Sequence, residues 1–276
     1  MYQFTSASLA QGLIDAKNRG VQVRVLMDSV EAAGSLSKET TLKSGGVSVE
    51  IVKVTGGTYG NKFHHKFCII DGKTLLTGSY NWTESADTSN YENYCTIKDA
   101  AILSCFTTEF DSLWTSKTGG VGSGTDVVFA PSGAAHAIEN RIATEIGGAA
   151  SEIVIAMYQF TSPTITSAVV AAEGRGVKVW VLTDLGEAST NKATLDALKA
   201  AGAYEKAMNM GSGSFAPEFH DKYCVIDGKT VITGSFNWNI NQDQNGYENV
   251  VVLHDGTLAK TFVEDFLNAW GQPNAK

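Results

Sequence analysis

The chain has 276 residues, 43% of them hydrophobic, which is enough apolar material for one large core or two ordinary ones. Its net charge of −8 excludes an overall basic stripe of the kind that grips long nucleic acid: residues 1–125 carry 11 Lys/Arg against 12 Asp/Glu and residues 126–276 carry 10 against 17, so any attraction for phosphate has to be local. Four irregularly spaced cysteines exclude a disulfide scaffold or zinc framework, and neither a signal-peptide pattern nor an apolar run near the roughly 18 residues of a membrane span is present, which leaves the compartment open.

In chain order, Leu9, Leu13 and Ile14 fall at helical spacing and Gly20 stops the run, after which residues 21–25 alternate as a strand. A helix is expected near 37–44, ending at Gly45. Residues 63–70 are rich in aromatic and β-branched types, and Asp71-Gly72 signals a hairpin before the strand resumes at 73–77. Phe106, Phe110 and Trp114 then mark a helix with a core-facing stripe, and TSKTGGVGSGT at 115–125 reads as a flexible linker. Beyond it come a strand at 127–129, a helix around 134–146 and a strand at 153–157. Ser162-Pro163 opens the next helix, with Ser as N-cap and Pro at the first helical position; a strand at 177–181 and a helix near 190–200 follow. Phe262, Phe266 and Trp270 close the chain as Phe106, Phe110 and Trp114 close its first part.

That last parallel is one of many. Met1-Tyr2-Gln3-Phe4-Thr5-Ser6 returns as Met157-Tyr158-Gln159-Phe160-Thr161-Ser162, and the same offset of 156 relates Asp28 to Asp184, His64 to His220, Glu92 to Glu248 and Trp114 to Trp270. The alternation of strands and helices in both copies indicates an α/β fold in two halves, 1–114 and 126–276, joined by 115–125. Because Met1 aligns with Met157, about 30 residues of a complete first copy have no counterpart; the true start lying upstream, removal of a segment, or a pared-down copy are all open.

Both halves carry HxK, four residues, Asp, six residues and then GSxNW: His64, Lys66, Asp71, Ser79 and Asn81 in one, His220, Lys222, Asp227, Ser235 and Asn237 in the other. Residues two apart on a strand share a face, so each half is expected to offer an imidazole beside an ammonium. Gly78 and Gly234 would let a ligand approach the backbone, and Ser79, Ser235, Asn81 and Asn237 would join the lysines around phosphate oxygens. Asp71 and Asp227 belong to the motif but stand at the hairpin, where a turn role competes with direct chemistry. Two such cradles facing each other supply a nucleophilic imidazole on one side and a proton-donating one on the other, with Lys66 and Lys222 holding phosphoryl charge.

These motifs resemble those of the phospholipase D superfamily, over nearly the whole chain. The resemblance implies two pseudo-twofold-related α/β halves, each a mixed sheet flanked by helices, with the active site at their interface. It also implies a covalent phosphohistidine intermediate without metal or cofactor, His64 as nucleophile and His220 as acid and base. Glu92 and Glu248, in Tyr-Glu-Asn, match the glutamates that bond the family's catalytic histidines. The substrate stays divided. The apolar loop from Ala207-Met208-Asn209-Met210 to Pro217 tips the balance to a phospholipid at a lipid interface, with hydrolysis or head-group exchange; a metal-independent endonuclease acting on DNA or RNA is the alternative, and a non-catalytic phosphate-binding module a minor one. A monomer is expected, with a homodimer open.

Overall fold

The computed structural model describes residues 1–54, 62–132, 134–213, 216–239, 242 and 246–276. The second half is built on one seven-stranded mixed sheet. Its strands are β6 (Val127–Ala130), β7 (Glu152–Met157), β8 (Lys178–Asp184), β9 (Tyr204–Met208), β10 (Lys222–Ile226), β11 (Thr230–Gly234) and β12 (Glu248–His254), in the order β6-β12-β11-β10-β7-β8-β9. β7, β8 and β9 run parallel, joined by the helices α7 (Pro163–Gly174) and α8 (Ala188–Ala201); the remaining pairs are antiparallel. Buried on both faces, β7 and β10 read as continuous apolar runs rather than alternating ones. The sequence-predicted start at Ser162 holds: its side chain accepts the Ile165 N–H and Pro163 follows.

The first half repeats this order with its sheet in two pieces. β1 (Arg24–Asp28) and β2 (Ser48–Val52) form a parallel pair, and β3 (Phe67–Ile70), β4 (Thr74–Gly78) and β5 (Tyr94–Ile97) an antiparallel sheet. In the second half β7 fills the space between the equivalents of β1 and β3. Here that space is an apolar groove of about 600 Å³ lined by Met1, Val25, Phe67, Cys68 and Ile69 among others. Cys68 is half-buried beside it, whereas its counterpart Cys224 is buried in the core.

The halves share a core. α5 (Ala100–Ser116) packs Leu103 and Phe106 into one cluster with Phe129, Val154 and Tyr223, to which α9 (Gly256–Trp270) adds Phe262 and Phe266. The Gly-rich segment after α5 is held rather than loose. Glu109, fully buried, accepts the N–H groups of Gly120, Val121 and Gly122 at 2.8, 3.0 and 3.1 Å. A side chain at Gly120 would lie 1.7 Å from the Pro131 carbonyl oxygen, so the glycine there serves close packing. Among the described residues no helix is long and apolar enough to cross a membrane.

Candidate active site

The two HxK segments lie side by side across the interface, and backbone bonds place them. His64 N–H donates to the Tyr247 carbonyl and His220 N–H to the Tyr91 carbonyl, each at 2.9 Å. Asp28 and Asp184 anchor the preceding residue in each half by accepting Phe63 N–H at 2.9 Å and Phe219 N–H at 2.8 Å. Each histidine segment is thus stitched to the Tyr-Glu-Asn of the other half. The glutamate contacts cross over in consequence: His64 Nδ1 lies 2.7 Å from Glu248 Oε1, and His220 Nδ1 lies 2.8 Å from Glu92 Oε1. With Nδ1 engaged, Nε2 is the nitrogen left for chemistry in both rings.

His64, Lys66, His220 and Lys222 are all buried, and the residues 64–66 precede β3 rather than forming its first turn of alternation. Each lysine Nζ donates to the carbonyl of the histidine two residues before it, at 2.8 Å in both halves. Burial sets much of the electrostatics. It holds His64 well below the ordinary imidazole range, helped by the positive charges of Lys66, Lys62 and Lys222. His220 is lowered by burial and then by Lys222, but Glu92 pulls it back up. Burial alone would raise Glu92, yet the charge and hydrogen bond of His220, with Lys222 and Ser79, bring it below the usual carboxylate value. Glu248 has no solvent exposure, and burial pushes it up to about 8 against the pull of Lys66, Ser235 and Lys222. Lys222 falls to about 8 through burial, despite Glu92, Glu218, Glu248 and Asp221 around it.

Several predicted residues do other work. The Ser79 hydroxyl donates to Glu92 at 2.5 Å and that of Ser235 donates to Glu248, while the same oxygens accept Asn93 and Asn249 N–H; these serines hold the glutamates instead of presenting hydroxyls to phosphate. Gly78 and Gly234 admit backbone, not ligand: a Cβ would lie 2.1 Å from Asn93 O and 2.2 Å from Asn249 O. Asp71 and Asp227 are not brought to the site. Both occupy left-handed turn positions, φ 53° and 51°, at the far end of β3 and β10 from the histidines. Asp227 caps the start of β7 by accepting Ala150, Ser151 and Glu152 N–H and the Ser151 hydroxyl, which holds it down at about 2.

Asn81 and Asn237 are buried, and neither side-chain oxygen accepts a hydrogen bond among the described residues. His65 is fully buried against Phe63, Phe67 and Phe129 and bonded to Asn249, so it packs and does not meet solvent. In the loop before the second motif, Met208 is buried in β9, which removes it from any lipid-facing surface, while Met210 is half-buried against the core; Ser214 and Phe215 lie outside the described residues.

Sequence reasoning missed Asn93 and Asn249. Asn93 donates to Thr233 at 2.6 Å and accepts Lys222 N–H at 3.3 Å, and Thr77 donates to Asn249 at 3.1 Å, so both asparagines tie the halves together. Their signal was available, since both stand in Tyr-Glu-Asn at the 156-residue offset.

The family model described as "Cardiolipin synthase, PLD-like domain" matches residues 1–114 and 142–270. The chain belongs to this phospholipase D-like family. Among curated relatives, a mitochondrial cardiolipin hydrolase of Xenopus tropicalis is 38% identical over 114 residues, 41% of this chain and 52% of that protein. A phospholipase D of Rickettsia felis is 33% identical over 127 residues, 46% of this chain and 61% of that protein. The matches thus span about half the length of these relatives. Among solved structures, a polyphosphate kinase of Porphyromonas gingivalis aligns with a TM-score of 0.66 at 15% identity, covering 96% of this chain and 41% of that one, a likeness of fold alone. Two phospholipase D-like halves therefore face each other here, each lending its glutamate to the other's histidine.

Proposed function

We propose that the protein is a phosphodiesterase that cleaves phospholipid head groups through a phosphohistidine. The crossed pairs His64–Glu248 and His220–Glu92 carry the reading, because they put two Nδ1-anchored imidazoles and two lysines in one interface. Their unequal surroundings support a division of labour. Glu92 keeps its charge beside His220, which makes His220 the better proton holder; Glu248 is buried deeply enough to favour a neutral His64 partner.

In the first half-reaction His64 Nε2 attacks phosphorus, the bond from phosphorus to the head-group oxygen breaks, and His220 Nε2–H protonates that oxygen. Lys66 and Lys222 hold the charge on the non-bridging oxygens, and the amides of Asn81 and Asn237 join them. Then His220 takes a proton from water, the water oxygen attacks phosphorus, and the phosphorus–nitrogen bond breaks. Phosphatidate leaves, and both histidines return to their starting states. The names of the relatives, cardiolipin hydrolase and phospholipase D, support a phospholipid substrate.

Incubating the protein in parallel with cardiolipin vesicles, phosphatidylcholine vesicles and single-stranded DNA, each with and without chelator, tests this. Release of phosphatidate in chelator is expected. Cleavage of DNA with intact lipid would replace the substrate by nucleic acid, and cleavage of neither would sink the reading.

A further inference from the structure

Each half has a tyrosine against its own HxK, and nothing in the proposed chemistry yet uses it. Tyr2 N–H donates to His65 O at 2.9 Å and Tyr158 N–H to Asp221 O at 3.0 Å, so both are tied to the middle residue of the motif. The Tyr2 ring meets His64 edge-on with centroids 4.7 Å apart, and Tyr158 meets His220 in the same way at 5.0 Å. Over the same rings stand the ammonium groups, Lys66 Nζ 5.0 Å from the Tyr2 centroid and Lys222 Nζ 5.2 Å from that of Tyr158. The hydroxyls differ: that of Tyr158 donates to Glu218 at 2.8 Å, whereas position 62, the equivalent of Glu218, is a lysine whose Nζ lies 5.1 Å from the Tyr2 ring. The two halves share the ring and one hydroxyl partner, Glu31 for Tyr2 and its counterpart Glu187 for Tyr158, so the phenylalanine variant is needed to separate ring from hydroxyl.

We propose that Tyr2 and Tyr158 are positioning residues for the reaction, each ring forming the floor that keeps its half's lysine charged and aimed at the substrate phosphate. The proposal rests on the phosphodiesterase reading above. A buried ammonium needs stabilisation, and a carboxylate in contact would supply it only by pairing with the charge that phosphate has to meet. An aromatic face attracts the cation through its quadrupole without neutralising it. With one Nζ bond on the histidine carbonyl and the ring beneath, the lysine is fixed in direction and its remaining donors are left for phosphate oxygens. The charged and titratable groups that face Lys222 are Glu92, Glu218, Glu248, Asp221, His220 and Lys66; of these Glu218 loses the Tyr158 hydroxyl in the phenylalanine and leucine variants alike, so comparing the two isolates the ring, which also packs on His220.

The test compares Tyr158→Phe with Tyr158→Leu in the full chain. Two readouts apply, kcat/KM on bis(p-nitrophenyl) phosphate against pH, and the titration midpoint of Lys222 by NMR of 13Cε-labelled lysine, assigned with Lys222→Arg. The phenylalanine variant is expected within about twofold of the parent, with its alkaline limb unmoved. The leucine variant is expected to lose about tenfold, mainly in KM, with its alkaline limb and the Lys222 midpoint both shifted down. Should Tyr158→Leu not fold, Tyr158→Met carries the same expectation. An unchanged Lys222 midpoint without the ring overturns the proposal, as does a phenylalanine variant as impaired as the leucine one. A parent without turnover would contradict the phosphodiesterase reading instead, and the Lys222 midpoint, measured without substrate, still decides the role of the ring.

Discussion

Lys222 and Glu248 illustrate how far burial carries a side chain from its ordinary chemistry. Both are placed near 8, the lysine from above and the carboxyl from below. Glu248, neutral below about 8, is the partner that keeps His64 neutral, and its carboxylate forms only as pH rises through that region; the ammonium of Lys222 is lost as pH rises through the same region. Because burial also brings His220 below the ordinary imidazole range and lowers Lys66, kcat/KM is expected to fall as pH rises, first with loss of the His220 proton and again near 8 with loss of the Lys222 ammonium. Lys222→Arg, charged at all accessible pH, is expected to remove the alkaline limb while lowering the maximum, because the guanidinium cannot reproduce the Nζ geometry. A limb that persists near pH 8 in that variant would assign it to another group. The histidines and lysines of this paragraph were legible in the sequence from their repeat frame. The partner of each histidine was not: Glu92 follows His64 in the chain and serves His220, because the backbone bonds of Tyr91 and Tyr247 run across the interface.

Among the elements, the β10–β11 hairpin shows why motif membership misled. Asp227 recurs in frame with the histidine, yet the strand β10 separates them, and its carboxylate caps the start of β7. Asp227→Ala is expected to leave kcat/KM near the parent value. It should lower stability by about 1–2 kcal/mol, allowing for the solvent exposure of the turn, and lower Tm by a few degrees. Its contribution is present above the ordinary carboxylate pKa and lost as pH falls toward about 2. A loss of activity without loss of Tm would return Asp227 to the chemistry. In the second half, where β9 and β12 were not anticipated, the helix start at Ser162-Pro163 and the strands near 127–129, 153–157 and 177–181 followed from capping and periodicity. The role of the glycines at 119–122 did not, since composition cannot distinguish a flexible linker from one packed against Glu109 and Pro131.

For the whole molecule, the 156-residue repeat suggests two domains, but the apolar core and the Asn93–Thr233 and Thr77–Asn249 bonds cross between the halves. One cooperative calorimetric transition is expected, and two resolved transitions would contradict a shared core. Asn249→Ala, which strands His65 and Thr77, is expected to cost about 1–3 kcal/mol, read as a lower urea midpoint at unchanged slope. Both results bear on function, because each half completes the other's histidine. The most direct test of that central claim is an alkaline quench of the protein during turnover of bis(p-nitrophenyl) phosphate, with the covalent adduct located by peptide mass mapping. The account predicts an aryl phosphate on His64, reduced in Glu248→Gln; turnover with no adduct on either histidine, or an adduct on His220, would contradict it.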